Sequence, residues 1–367
     1  MTQPYHGRHE QPQQKKRKKK RKKKSTGKRT ALIVLIVLAV LALTAVLVYR
    51  HFVVKPKIPA ADHPQVSVPP EMEGTLQDKV DGARKSASIY TILVVGTDTS
   101  SNSTDTMMLV TYDVTNQSAT VMSIPRDTLV NAFGTSRYTR LNSVYTAYGG
   151  GEEGMAALTY EVSELVGFVP DFQMFIQWEL VGLMVDAMGG VEYDVPYHME
   201  YDDPAQDLHI YIEKGLQTLD GDHAMQLVRW RKNNPGVASG GGTGSDLNRL
   251  KVQQGFLKAV LKQLLQLKNF TRINELARLL SNNITGNLTL ENLCWFGSQA
   301  VFGGLDANDV EFLTLPVLAA NPYVYPDQSQ LLELINTKLN PYQKEVTLDQ
   351  LDLIYFDANG TMRSTGK

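Results

Sequence analysis

Three short apolar runs follow one another in the first half of the chain: ILVVG (92–96), MMLVTYD (107–113) and ATVMSI (119–124). Each is rich in β-branched residues and bounded by Gly, Asp, Asn or Ser, which predicts three successive strands. Pro125 removes a backbone donor and ends sheet pairing after the third. Beyond it the apolar spacing becomes helical. Met155, Leu158, Val162 and Leu165 share one face of a helix predicted over 153–166. A strand is predicted over 169–175 and a helix over 179–188 that ends at Gly189 and Gly190, with Asp186 in its last turn read as structural. LDGDHA (219–224) opens another helix, and residues 247–268 form a long amphipathic one. Asp246 is its expected N-cap, and Leu250, Phe256, Leu257, Val260, Leu261, Leu264 and Leu265 its buried side. Two helical pieces over 279–302 with Thr289 as cap, a strand in VEFLTLPV and a closing helix in SQLLELINTKL complete the pattern. Strands alternating with helices argue for an α/β sandwich.

The chain's 367 residues, 43% of them hydrophobic, suffice for one sizeable core with appendages. A net charge of −1 hides a sharp asymmetry, because residues 1–30 hold thirteen Lys and Arg against one Glu. This basic segment cannot bury enough surface to fold alone. The uncharged apolar run 31–49 follows, and nineteen helical residues at about 1.5 Å each approach the thickness of a hydrocarbon core. With the basic block before it, the positive-inside rule predicts a single-pass transmembrane anchor with a cytoplasmic N-terminus. A cleaved signal peptide is disfavoured by the length of the run and the lack of a nearby small-residue cleavage site. The basic block also lacks the aromatic or helical reader of a nucleic-acid site, so no nucleic-acid partner is expected. Residues 50–88 are proline-rich and read as an extracytoplasmic linker. Cys294 is the sole cysteine, which excludes an intramolecular disulfide, and among apolar neighbours it reads as a structural thiol.

Candidate chemistry lies at the joints of the three predicted strands. Asp98 follows the first, Asp105 precedes the second, and Arg126 and Asp127 follow the third. If these ends share one sheet edge, two carboxylates and a guanidinium converge. Two close carboxylates repel unless a cation sits between them, which points to an oxygen-ligated divalent metal, and Arg suits an accompanying phosphate. Taken singly, each Asp is an ordinary turn residue. Arg140 precedes a glycine cluster as a second anion contact. Arg229 and Arg231, in RWR before the glycine-rich stretch 233–245, could both fork onto phosphate oxygens. Asp246, Arg249 and Gln253 share one face of the helix that follows, near free backbone N–H groups. An exposed Asp246–Arg249 salt bridge is the plain alternative.

The runs VVGTD, STDTMMLVTYD, MSIPRDTLV and RLNSVYTAYGG, followed in order by MVDAMGGVEYDVP, LDGDHAMQLVRWR and SDLNRLKVQQGF, resemble the signature of the LytR-CpsA-Psr proteins. These are enzymes of Gram-positive bacteria that attach glycopolymers to the cell wall. The resemblance covers roughly residues 89–334. It implies an α/β/α sandwich with a central mixed sheet, a catalytic domain over 89–337 and a C-terminal tail over 338–367. The implied reaction transfers an anionic glycopolymer, a teichoic acid or capsule-like chain, from a polyprenyl pyrophosphate carrier to a peptidoglycan hydroxyl. By position in the motifs, Asp98 and Asp105 would hold Mg2+ or Mn2+. Arg126, Arg229, Arg231 and Arg249 would clamp the pyrophosphate, with Gln253 orienting it. Asp127 and Asp246 are candidates for the base or for holding those arginines. Many relatives have an Arg where this chain has Ser103, so one clamp contact is absent or supplied by Arg140. The rival readings are a polyprenyl pyrophosphate hydrolase and a non-catalytic envelope regulator or wall-binding module.

Overall fold

A computed structural model describes residues 52–59, 79–97, 104–132, 137–177, 179–238, 246–266, 276, 279–280 and 283–366. The three apolar runs are strands β1 (Ile89–Thr97), β2 (Thr104–Asp113) and β3 (Ser118–Ile124). They pair as an antiparallel meander. A small hairpin follows, β4 (Leu129–Ala132) and β5 (Arg137–Arg140), then helices α1 (Leu141–Ala147) and α2 (Gly151–Val166). Next come β6 (Phe172–Gln177), α3 (Glu179–Met188), and the strands β7 (Val191–Val195), β8 (Met199–Asp203), β9 (Leu208–Ile212) and β10 (Gly215–Leu219). Helices α4 (Gly221–Arg229) and α5 (Asp246–Leu264) precede β11 (Ile284–Gly286) and α6 (Leu290–Gly303). The chain closes with β12 (Val310–Thr314), the hairpin β13 (Val317–Ala320) and β14 (Tyr323–Pro326), α7 (Gln328–Leu334), and the hairpin β15 (Ile354–Phe356) and β16 (Met362–Ser364).

The main sheet is mixed, in the order β11-β6-β1-β2-β3-β12. β1 runs parallel to β6 and β3 parallel to β12, while the other pairs are antiparallel. Alternation sends Leu93, Val95, Met107, Leu109, Met122 and Ile124 to one face, where they pack with Leu158, Val162 and Leu165 of α2 in the largest apolar cluster. The opposite face carries Tyr90, which meets Trp295 and Phe296 of α6 edge-on at 5.7 and 5.1 Å. Helices therefore cover both faces. A second apolar cluster joins α3, α4 and α5 to β7–β10.

Several expectations need correction. α2 is buried almost all round, not on one stripe, because the closing residues Leu339, Tyr342, Val346, Leu351 and Leu353 join its cluster from further along the chain. Those same residues make 338–367 part of the core. The strand expected over 169–175 starts at Phe172, since Asp171 is committed to Arg84 and to the Thr91 N–H and hydroxyl. β11 interrupts the helical reading of 279–302. Asp246 is already helical rather than preceding the helix, and on α5 Val252 and Gln253 are buried while Leu257, Leu261, Leu264 and Leu265 are only half-buried. Residues 52–59 and 79–88 are packed rather than stalk-like. Asn292 donates to the Val54 carbonyl at 2.9 Å, the Lys55 ammonium lies 5.9 Å from the Trp295 ring centre, and Arg84 forks onto Asp171 at 2.7 and 2.8 Å. The apolar run 31–49 lies outside the described residues, and among those no helix is long and apolar enough to cross a membrane.

Buried Lys79 donates to Glu164 at 2.7 Å and to the Gln350 carbonyl at 2.8 Å, tying the lead-in, α2 and the closing segment together. Burial pushes the Glu164 carboxyl up, against the lowering effect of Lys79. A carboxyl whose folded pKa is raised stabilises the fold below its unfolded value, and that contribution is lost as pH rises through the folded one. Lys79→Met is thus expected to cost roughly 3–5 kcal/mol at neutral pH, where it leaves Glu164 charged and uncompensated. The cost should shrink in acid, where Glu164 is protonated. Melting temperatures of wild type and variant between pH 5 and 8 check this, and a pH-independent difference would contradict it.

Candidate active site

The strand register brings the predicted joints together. Thr97 pairs with Thr104 and Met107 with Ile124, so the end of β1, the start of β2 and the end of β3 share one sheet edge. At that edge Arg126 donates from Nη1 to Asp105 Oδ1 at 2.7 Å. Its Nε lies 3.6 Å from Asp127 Oδ2, and Arg140 Nη1 lies 3.5 Å from Asp127 Oδ1. Asp127 therefore bridges two guanidiniums, the geometry of a group that holds arginines. Arg249, from the first turn of α5, is 4% exposed and donates from Nη2 to the Asp105 carbonyl at 3.4 Å. Among the described residues, three guanidiniums and two carboxylates gather at this edge, a supply of cations that suits an anion.

Local chemistry explains why these side chains are held. The Asn142 N–H donates to the Arg126 carbonyl at 3.1 Å, and Thr104 Oγ1 donates to the Asn142 carbonyl at 3.2 Å, bolting the start of α1 to the edge. Arg140 ends β5 opposite Leu129, which fixes its backbone against the segment carrying Asp127. α5 is tied to the sheet by Gln254, whose amide nitrogen reaches Ser123 Oγ at 2.9 Å, the Leu313 carbonyl at 2.8 Å and Thr314 Oγ1 at 3.1 Å. Nothing in the sequence singles out Gln254, because its partners are supplied by strands distant in the chain.

The remaining predicted residues are placed differently. Arg229 ends α4 and Arg231 follows it, both exposed, on either side of the buried Trp230. Gln253 is buried, and its amide nitrogen is committed to the Val228 carbonyl at 2.8 Å. It thus holds the end of α4, and with it Arg229, against α5, while its Oε1 is buried with no hydrogen-bond partner among the described residues. Arg249 is buried, and its pairing with Asp246 falls outside the described residues. Asp98, Ser103 and the Asp246 side chain lie outside the described residues. Among those residues no cluster of three His, Cys, Asp or Glu could hold a metal. Asp186 accepts from the Gly221 N–H at 2.7 Å and so organises the start of α4. Cys294 is half-buried, with its thiol pushed up by burial and then by Glu291, which suits a structural thiol.

On the face of the sheet opposite α2, Ile92, Met108, Val110, Met174, Ile176 and Phe312 are only half-buried. Large apolar side chains in the middle of a sheet are normally covered. Here Ile92 packs against the cluster of Tyr90, Phe172 and Leu288, and the others leave partly exposed apolar surface on this face.

The LytR_cpsA_psr family model matches residues 61–341. TagV of Bacillus subtilis (strain 168), a polyisoprenyl-teichoic acid–peptidoglycan teichoic acid transferase, is 26% identical over 261 residues, covering 70% of this chain and 62% of TagV. The chain thus spans less than two thirds of the length of that relative. The crystal structure of B. subtilis TagV aligns with a TM-score of 0.55 at 22% identity, covering 69% of this chain and 96% of that one. TagT bound to LI-WTA aligns with a TM-score of 0.53 at 21% identity, covering 73% and 96%. The structural likeness establishes the shared fold, and the family model spans most of the sequence in register with the motifs that build the arginine edge. On these grounds the chain belongs to the LytR_cpsA_psr family.

Proposed function

We propose that the protein is a membrane-anchored phosphotransferase that moves an anionic glycopolymer from a polyprenyl pyrophosphate carrier to peptidoglycan. The observation that carries this reading is the arginine edge, with partly exposed apolar side chains on the same sheet, since the donor joins a pyrophosphate to a long hydrocarbon tail. Burying that tail is worth about 0.8 kcal/mol per CH2, so an apolar wall beside the anion site supplies much of the donor's affinity. Arg126 and Arg249 clamp the pyrophosphate, with Arg229, Arg231 and Arg140 as further contacts. Phosphoryl transfer depends on positioning and charge stabilisation more than on a covalent catalyst. A peptidoglycan hydroxyl attacks the phosphorus that bears the polymer, and polyprenyl phosphate leaves. Asp127, held between two guanidiniums, keeps the clamp in shape.

The donor set at this edge, carboxylates without thiolate or imidazole, fits a hard divalent cation. Asp98 and Asp105 would hold Mg2+ or Mn2+, which supplies neutralisation of charge developing on the phosphate oxygens. The decisive experiment incubates the full chain with a polyprenyl pyrophosphate-linked glycan, with and without peptidoglycan. Glycan joined to peptidoglycan supports the transferase. Release to water at the same rate with or without acceptor makes it a hydrolase, and no turnover favours a regulator or wall-binding module. Asp127→Ala is expected to raise donor KM roughly 10-fold through loosened arginines, with a smaller effect on kcat, and the reverse pattern would make Asp127 the base.

A further inference from the structure

The twelve residues Leu315 to Pro326 carry no charge, although the β13–β14 hairpin they form exposes Leu318, Ala319, Asn321, Pro322 and Tyr323. Its register separates two faces. Val317, which pairs with Pro326, packs toward the core. Leu318 pairs with Tyr325 and Ala320 with Tyr323, so these four share the other face, on which Leu318 and Tyr323 are exposed. Leu318 is 44% and Tyr323 36% exposed, and Tyr325 packs edge-on against Phe356 with ring centres 5.0 Å apart. An uncharged, aromatic outward face on a short exposed hairpin marks a contact surface.

Its position is set by a bond to the arginine edge. The Val324 N–H donates to the Asp127 carbonyl at 3.2 Å, and Val324 forms a parallel bridge with Thr128. Neighbouring strands lie about 4.8 Å apart, so Tyr323 stands one strand away from the Asp127 that joins Arg126 and Arg140. The two surfaces have opposite character: guanidiniums attract phosphate, whereas the hairpin offers no charge for a polyanion and flat apolar faces instead. Sugar rings present C–H faces that stack on such aromatics, and tyrosine adds a hydroxyl for their polar edges.

We propose that the outward face of the β13–β14 hairpin, centred on Tyr323 and Leu318, is the subsite for the neutral sugar backbone of the acceptor glycan. The assignment rests on the transferase reading for its role but not for its binding. It places a sugar hydroxyl beside the phosphate clamp while keeping the anionic donor polymer off the acceptor side. The hairpin is exposed, so truncating Tyr323 or Leu318 leaves the core intact.

The test uses the full chain in detergent micelles and neutral N-acetylglucosamine glycan strands as probe, first with neither donor nor metal present. Tyr323→Ala and Leu318→Ser should each weaken strand binding roughly 10-fold, and Tyr323→Phe should keep most of it. In transfer assays the same variants should raise acceptor KM and leave donor KM unchanged. Equal strand binding by wild type and both variants overturns the subsite, as does absence of saturable binding by wild type or equal competition by a polyanion lacking sugar rings. Tyr323-dependent strand binding without any transfer would keep the subsite and remove the transferase reading. Normal acceptor KM in both variants would remove the subsite and keep the transferase.

Discussion

Arg249→Ala is expected to lower kcat for transfer roughly 100-fold or more, because it removes a charge-assisted contact that strengthens as phosphate charge develops. A salt bridge in water would be worth about 0–1 kcal/mol and its loss would leave turnover intact. Arg249 is not such a residue: it is 4% exposed and reaches the Asp105 carbonyl at the arginine edge. Electrostatic contacts in a partly dry cleft are stronger than in solvent. Arg249→Lys keeps the charge and much of the packing of the stem but loses the planar fork, so it should stay well below wild type. Transfer rates at saturating Mg2+, with a melting curve for each variant, separate chemistry from stability. Near-normal transfer by Arg249→Ala would return the residue to a structural role and leave Arg126, Arg229 and Arg231 to clamp the donor.

Asp105→Ala is expected to abolish metal-dependent turnover, a loss of at least about 100-fold. Repulsion between Asp98 and Asp105 alone would predict a variant as stable as wild type or more so. The ion pair changes that sign, since Asp105 Oδ1 accepts from Arg126 at 2.7 Å and removing it takes the shorter of two carboxylate contacts from a largely buried guanidinium. The variant should lose about 1–3 kcal/mol. Asp105→Asn separates the two roles, because it retains an acceptor for Arg126 while surrendering the charge. It should melt closer to wild type than Asp105→Ala yet titrate no Mg2+ or Mn2+ in calorimetry. An Asn variant with an unchanged metal isotherm would remove Asp105 from the metal assignment.

The parts of the site legible in the sequence were those next to strong local signals. Asp105 and Arg126 flank short β-branched apolar runs with clear turn residues at their ends, so their arrival at one edge followed once the meander closed. Arg229 and Arg231 were legible only as a basic pair around a helix end, and their exposure gives no more than that. Gln253 was read as a donor contact from its place on the helix face, but burial against Val228 makes it a tie between α4 and α5. The short strands β7–β10 and β13–β16 escaped notice because three to five residues carry too little periodicity to outweigh turn-forming neighbours.

Sequence alone determined the three successive strands, the helices over 179–188 and at the start of α4, the capping of α6 by Thr289, and the family motifs. Each depends on residues within a few positions of one another, where backbone period and cap chemistry act directly. Tertiary structure decided the rest. Arg249 and Asp105 are 144 residues apart, and Lys79 reaches the Gln350 carbonyl across 271. Such contacts exist only after sheet order and helix packing have set which distant surfaces meet. The burial that draws a helix-end Arg into the arginine edge, and the bridge that sets an uncharged hairpin beside it, come from this packing. No local spacing encodes it, because the desolvating side chains come from elements far away in the chain.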